Sequence, residues 1–531
     1  MQTTLRFSIA LVLAILSLDS PVLAQSRQAP PGMFKDLDDE IVGKAIVLHG
    51  KQLFIDNYVI ESLANAKKVL NQPVKHPKNP LVRRDRPWEE KLSSPFGYGA
   101  VVRDERDGLY KIWYQIWLDD KDAVGSLGYI TSPDGITWDK PITDPRAGNN
   151  WALFEPKEPW VSGAGVMIDA AEKNPERRFK MMYLAKPTGK SSSLQSCVAY
   201  SADGVHWKPE PKNPLIPYSD TQIAPYWDAR LNRFVAYLRF GPPNVRIISR
   251  IESEDFFHWS PKVTVVKKGK LDAPFNTELY TMGAMPYAGV YIGVLNTYHG
   301  ETITPIPDDQ PWMDRVDNQL TFSRDGVTWQ RVLKDGAISA SELRSERDWK
   351  QAAQQATFLP YGEFQKDWDW GQIYPHHPPL VVGDEIRFYY TGITGRHWHT
   401  YHKDTRDSGI GLATLRLDGF VSVNAGADAG TLTTKPLVFF GDTLEVNANA
   451  VGGSLTVEAL DAEGKVIEGF SASDCTPITT DSVRHVVKWK DNPDCHLLQA
   501  RPIKLRFHLK NAKLYAFEPR IRHNHYLQSY D

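Results

Sequence analysis

The stretch SPDGITWDK, Ser132–Lys140, decides the fold. Its pattern S-x-D-G-x-x-W returns as SADGVHW at Ser201–Trp207 and SRDGVTW at Ser323–Trp329. SEDFFHW at Ser253–Trp259 keeps Ser, Asp and Trp but carries Phe256 where the other copies have Gly. LRLDGF, around Asp418 and Gly419, is a degenerate fifth copy. The Asp residues at 134, 203, 255 and 325 are spaced by 69, 52 and 70 residues. That spacing suits a repeated unit of about four strands, the size of a propeller blade.

A common cadence precedes each copy. FGYGAVVRD, a turn, LYKIWYQIW and GSLGYITS lead into the first. GAGVMIDA, RFKMMYLA and SCVAYS lead into the second, and IAPYWDA, RFVAYLRF and VRIISRIES into the third. YTMGAMPYAG, VYIGVLNTY and DNQLTFS form the fourth; YPHHPPLVVGD, EIRFYYTGI and GIGLATLR form the fifth. Each unit reads as strand, hairpin, strand, loop, strand, with a further strand after the motif. The expected fold is all-β, with a five-bladed β-propeller. Asp at such a turn bonds backbone N–H groups, Gly supplies positive φ, and Trp offers an apolar face for packing between blades. None of these is a poised acid, base or nucleophile, so the motif reads as structural.

The 531 residues exceed the usual size of a single core, so two domains are expected. After Gly419, DTLEVNANA, GSLTVEALD, RHVVKWK and IKLRFHLK alternate apolar and polar positions, predicting a C-terminal β-sandwich. The expected organisation is a signal peptide at 1–24, a leader at 25–44, the propeller at 45–420, and the sandwich with a tail at 421–531. A short helix is expected around SERDWKQAAQQA. Arg6, the apolar run Phe7–Leu18 and Val22-Leu23-Ala24 read as an export signal cleaved near Ala24. The expected location is secreted or periplasmic; an uncleaved anchor is the alternative reading. A net charge of −2 gives no support for nucleic acid or an anionic membrane as partner. Oligomeric state is not legible. Of three Cys, Cys475 and Cys495 could pair in an oxidising compartment, and with no C-x-x-C pair they form no zinc cage.

The chain resembles the five-bladed glycoside hydrolases of the invertase/levanase and arabinanase/xylosidase types. It is more similar still to exported bacterial proteins whose N-terminal part is family 32-like. The resemblance spans nearly the whole mature chain. It rests on LFIDNYVIES, PVKHPKNPLV, the S-x-D-G-x-x-W turns, SDTQIAPYWDARLNRFVAYLR, GSLTVEALDAEGKVIEGFS and LRFHLKNAKLYAF. It implies a carbohydrate substrate and a pocket on the propeller axis walled by the innermost strands. The invertase-type Asn-Asp-Pro-Asn-Gly, Arg-Asp-Pro and Glu-Cys motifs are absent, so no catalytic residue carries over.

Glycoside hydrolysis usually needs two carboxyl groups flanking the scissile bond. At the expected mouths of inner strands stand Asp220, before Thr221-Gln222, and Glu278, before Leu279-Tyr280. Asp56 lies where the ring is expected to close. Each could equally be a loop carboxylate bonding nearby N–H groups. Asp228 in WDARLN reads as a hairpin Asp, and the acids of RDRPWEEK, DWDW and WMDRVD are further rim candidates. Gln222, Trp227, Tyr280, Arg239, His376 and His377 are the expected substrate-binding residues. Arg246 and Arg396 join Arg239 as candidates for an acidic sugar, and Trp312, Trp370 and Trp398 are alternative stacking faces. No metal ligand set is expected: His397, His399 and His402 read as a polar loop, although a structural cation on the axis is compatible with His376 and His377. No cofactor is required, and neither a G-x-S-x-G elbow nor a Walker loop occurs. The leading expectation is an exported glycosidase. Its rivals are a non-catalytic glycan-binding propeller, a glycoside phosphorylase, and a sialidase, which would need three arginines converging beside a tyrosine.

Overall fold

The computed structural model describes residues 45–90, 92–94, 96–118, 126–158, 160–186, 194–216, 218–240, 245–300, 312–336, 353, 356–397 and 407–521. The expected signal segment, the leader and most of SERDWKQAAQQA lie outside them.

Strand pairing gives an all-β chain whose described residues form successive antiparallel meanders. The first comprises Gly99–Asp104, Leu109–Leu118 and Ser126–Ser132. The second runs Val161–Ile168, Phe179–Ala185, Gln195–Ser201 and His206–Pro209. The third runs Ala224–Asp228, Arg233–Arg239, Ile248–Ser253 and Val263–Val266. The fourth runs Thr277–Tyr287, Val290–His299, Arg315–Ser323 and Trp329–Arg331. In the fifth, Gln372–Pro375, Glu385–Ile393 and Ser408–Arg416 are completed by Val74–Lys75, supplied from the N-terminal side.

The first strand of each meander meets its neighbours around an axis. Ile223 N–H donates to Gly163 O at 3.1 Å, and Val101 N–H to His377 O at 3.1 Å. Gln222 Nε2 donates to Gly99 O at 2.8 Å and Ala164 O at 2.9 Å, and Thr281 Oγ1 donates to Gln222 O at 3.1 Å. Approach this close needs residues without a side chain. A Cβ at Gly165 would stand 1.9 Å from Ile223 O, and one at Gly283 would stand 1.9 Å from the His377 ring.

The repeated motif forms an outer turn. Ser132 Oγ accepts from Gly135 N–H at 2.8 Å, while Asp134 Oδ1 accepts from Ile136 and Thr137 N–H, both at 2.7 Å. The copies at Asp203, Asp255 and Asp325 repeat this pattern. These are saturated carboxylates, which bears out the structural reading of the motif.

The C-terminal sandwich has two sheets. One orders Asp481–Val486, Thr443–Asn449, Ala512–Arg520, Val421–Ala425 and Lys67–Leu70; the other orders Ile60–Ala64, Gly430–Thr434, Lys504–Lys510 and Ser454–Leu460. Their inner faces enclose buried Val423, Leu432, Leu455, Phe507 and Phe517. Residues 46–70, expected in the propeller, therefore pair within the sandwich. Their alternating pattern could satisfy either module; only the exposed sheet edges of the sandwich decide.

The three cysteines are buried and unbridged, so the Cys475–Cys495 disulfide does not form. Cys475 Sγ accepts from Val457 N–H at 3.3 Å, whereas Cys495 Sγ faces Gly441 O at 3.6 Å. Among the described residues, no helix is long and apolar enough to cross a membrane.

Candidate active site at the axial end of the propeller

Strand ends and loops of the third, fourth and fifth meanders bring a polar–aromatic cluster to one end of the axis. Arg239 closes the second strand of the third meander, and its Nε donates to Asp220 Oδ1 at 2.5 Å, with Nη2 paired to the other carboxylate oxygen. The arginine side chain is 8% exposed and the aspartate 42%, so a buried fork holds a carboxylate that faces solvent. Burial opposes the charge on Arg239, yet pairing with Asp220 raises its pKa further.

Tyr280, on the fourth meander's first strand, lies under two cations: the guanidinium carbons of Arg239 and Arg246 are each 4.9 Å from its ring centre. Arg246 Nη1 also donates to Tyr280 Oη at 3.4 Å. Tyr280 stacks on Tyr298 at 5.3 Å, with the His397 ring 5.5 Å and 4.9 Å from the two. Tyr98 packs edge-on to Tyr374 at 5.0 Å. Burial raises the pKa of Tyr98 and Tyr280, against the pull of the nearby arginines. Both phenols are therefore neutral donors at ordinary pH. Glu278, two residues before Tyr280, is paired with Lys268 and is 19% exposed.

Asp220, Arg239 and Tyr280 thus meet, with Glu278 beside them along the strand. The other sequence candidates go elsewhere. Asp56 lies at the junction with the sandwich, held by Arg324 Nε at 2.7 Å and Nη2 at 2.8 Å, and has no place at the axis mouth. Gln222, His376 and His377 fill the axial core instead of lining its mouth, being 0%, 1% and 4% exposed. Burial lowers His376 to about 3 and His377 to about 4, so both imidazoles are neutral. Trp227 packs edge-on against Phe234 of the same meander at 4.8 Å, in an apolar cluster shared with Met167 and Met182 of the second. Trp312 covers Phe275, and Trp370 covers Phe364. Arg396 Nη1 donates to Met313 O at 3.2 Å, and among the described residues Arg239 and Arg246 are the arginines over the Tyr280 ring. Asp228 serves its hairpin by accepting from Arg230 N–H at 3.0 Å, as its setting predicted. Among the rim acids, Glu89 and Asp85 hold Lys140, Asp369 holds Lys75, and Asp314 accepts from Tyr298 Oη at 3.0 Å. Trp398, His399 and His402 lie outside the described residues. Among those residues, no group of three or more His, Cys, Asp or Glu side chains is placed to hold a metal ion.

Sequence reasoning missed Glu158 and the flanking aromatics. Glu158 stands three residues before the second meander's first strand, much as Asp220 stands four before the third's. It accepts from Tyr183 Oη at 2.9 Å, and burial raises its pKa despite that hydrogen bond. Beside it in sequence, Trp160 meets Trp117 edge-on at 6.2 Å, with Lys186 Nζ 4.2 Å from the Trp160 ring centre. The available signal was positional: a carboxylate or aromatic just before an inner strand.

No family model matches the chain, and no curated protein does. Among solved structures, the chain is similar to a GH32 β-fructofuranosidase of Bombyx mori at 12% identity, covering 84% of this chain and 95% of that one, with a TM-score of 0.40. It is similar to an N-acetylgalactosamine deacetylase from F. plautii, in complex with blood group B trisaccharide, at 16% identity, covering 67% and 97%, with a TM-score of 0.42. A glycosyl hydrolase from Bacteroides ovatus matches at 12% identity over 66% and 94%, with a TM-score of 0.41.

Proposed function

We propose that the protein is an exported glycosidase acting on a polysaccharide or oligosaccharide at the axial mouth, with Asp220 and Glu278 as its paired carboxylates. The observation that supports this reading is the convergence of Asp220, Arg239 and Tyr280, with Glu278 two residues along the same strand. Two guanidinium N–H groups fix the orientation of Asp220, which suits the group that attacks C1 or activates water. Glu278 has a flexible lysine as partner. It can exchange that lysine for the leaving oxygen and act as proton donor. Exposed Tyr218 and Trp117 offer faces for sugar rings.

The test is turnover of polysaccharides and aryl glycosides by the full chain, with Asp220→Asn and Glu278→Gln beside the wild type. Each variant should lose roughly 10²–10⁴-fold in rate, the usual contribution of such a group. Full activity in both would refute the assignment.

One observation favours a second reading. Each carboxylate already has a cationic partner, as expected of a glycan-binding propeller without catalysis. Glycan binding by the wild type with no release of reducing ends would establish it.

A further inference from the structure

Asp220 does not use all of Arg239. Nε and Nη2 are committed to the carboxylate, while Nη1 is buried and has no hydrogen-bond partner. A buried donor left unpaired is costly, so such a group on a native protein calls for a ligand or water. The same cluster holds a second unspent cation. Among the described residues Arg246 has no carboxylate partner, and its bond to Tyr280 Oη is long at 3.4 Å. Two guanidinium groups therefore flank one ring, and among the described residues Asp220 is the one carboxylate paired with either of them.

The neighbours of these cations are also donors. Tyr98 lies close enough to feel Arg239, Arg246 and Asp220, and its hydroxyl stays protonated because burial disfavours the phenolate. Tyr280 is held neutral the same way. Planar guanidinium forks with adjacent phenol O–H groups suit an oxyanion having two or more oxygens, and they give a neutral hydroxyl no comparable advantage.

We propose that the axial mouth binds an anionic substituent of its glycan, a carboxylate or a sulfate, through Arg239 Nη1 and the Arg246 guanidinium. The glycan part rests on the proposed function; the anion part rests on the two arginines alone. Asp220 positions Arg239 for this role, so the catalytic carboxylate and the anion site share one guanidinium. The anionic group is thereby placed close to the reacting carboxylate.

The test is calorimetric titration of the full chain with D-glucuronate, D-galacturonate and galactose 6-sulfate, each against neutral glucose and galactose. At least one charged sugar should bind about tenfold more tightly than its neutral parent, a difference of about 1.4 kcal/mol. Which one it is separates the carboxylate from the sulfate. Arg246→Gln should abolish the preference, and Arg246→Lys should retain part of it. Thermal melts check that both variants are folded. Equal binding of charged and neutral sugars, failure of every charged sugar to bind, or an undiminished preference in folded Arg246→Gln would overturn the proposal. Cleavage of neutral glycans without any charged preference removes the anion site alone. A charged preference without cleavage of any glycan removes the catalytic reading alone.

Discussion

Asp317 shows how one buried side chain ties a blade together and gives it a pH response. It is 3% exposed and accepts from Thr357 Oγ1 at 2.7 Å, with Thr297 Oγ1 on its other oxygen. His299 Nε2 lies 3.2 Å away, and the same imidazole meets Thr277 Oγ1 at 3.0 Å through Nδ1. Burial pushes the carboxyl pKa up, but His299 and the two hydroxyls outweigh it and hold the group below its ordinary value. A depressed pKa means the stability it contributes is present above the unfolded carboxylate range, near 4, and is lost as pH falls through the folded value. Melting temperature followed from neutral pH downward should drop more steeply below about pH 4 in the wild type than in Asp317→Asn, which starts lower. Equal slopes would show that Asp317 does not carry the acid response.

At the scale of elements, the repeated turn acts as a socket for the neighbouring blade. Tyr389 Oη donates to Gly135 O at 2.8 Å, Trp113 Nε1 to Gly204 O at 2.6 Å, and Tyr237 Oη to Gly326 O at 2.9 Å. Each donor sits on the second strand of the preceding meander, so the contact recurs from blade to blade. The third turn departs from this rule. Phe256 occupies the glycine position at φ 72° and is buried against Phe234 and Trp259 at 5.3 Å and 5.4 Å. Left-handed backbone costs about 1–2 kcal/mol in a residue with a Cβ, and burying a Phe side chain returns about 1.5–3 kcal/mol, so packing wins. Tyr237→Phe tests the hydrogen-bonded version. Gly326 O keeps a second donor, Trp329 Nε1 at 3.1 Å, so no acceptor is stranded. The loss in denaturant-measured stability should be only about 1 kcal/mol. A loss several times larger would mean that the hydroxyl does more than staple two blades.

For the whole molecule, the two modules are interleaved by the chain itself. Gln52–Leu53, Ile60–Ala64 and Lys67–Leu70 belong to sandwich sheets, and the next strand, Val74–Lys75, completes the fifth meander. Leu53, Ile55, Leu70 and Phe420 share an apolar cluster with Ile292, Leu320 and Phe388 of the propeller. Asp56 and Arg324 add an ion pair at this junction, with the guanidinium 3.9 Å from the Tyr58 ring centre. A chain truncated after residue 420 would leave residues 46–70 without sheet partners and uncover that cluster. It should lose cooperative unfolding and become sensitive to limited proteolysis, whereas the full chain melts with its propeller protected. A truncated chain that melts sharply near the full-length temperature would show that the propeller stands alone.

The sequence determined whatever its own neighbourhood encodes. Ser, Asp and Gly within four residues specify a turn by bonding each other's backbone, so the repeat, the meander cadence and the all-β class were legible. Asp220, Glu278 and Tyr280 were legible as residues near the starts of expected inner strands, whereas the pairing of Asp220 with Arg239, from the end of a second strand, was not. Tertiary structure alone decided what depends on distant partners. Asp56 looked like Asp220 in sequence, but its fate rests on Arg324, 268 residues away. Gln222, His376 and His377 were read as substrate-binding, yet whether they face solvent depends on how closely Gly99 and Gly283 let neighbouring strands approach. Strands 46–70 carried an alternation that either module could use, and the partner edge lay more than 350 residues further on at Val421–Ala425 and Gly430–Thr434. Backbone preference is a local energy, whereas burial and charge pairing are sums over neighbours that only the folded chain brings together.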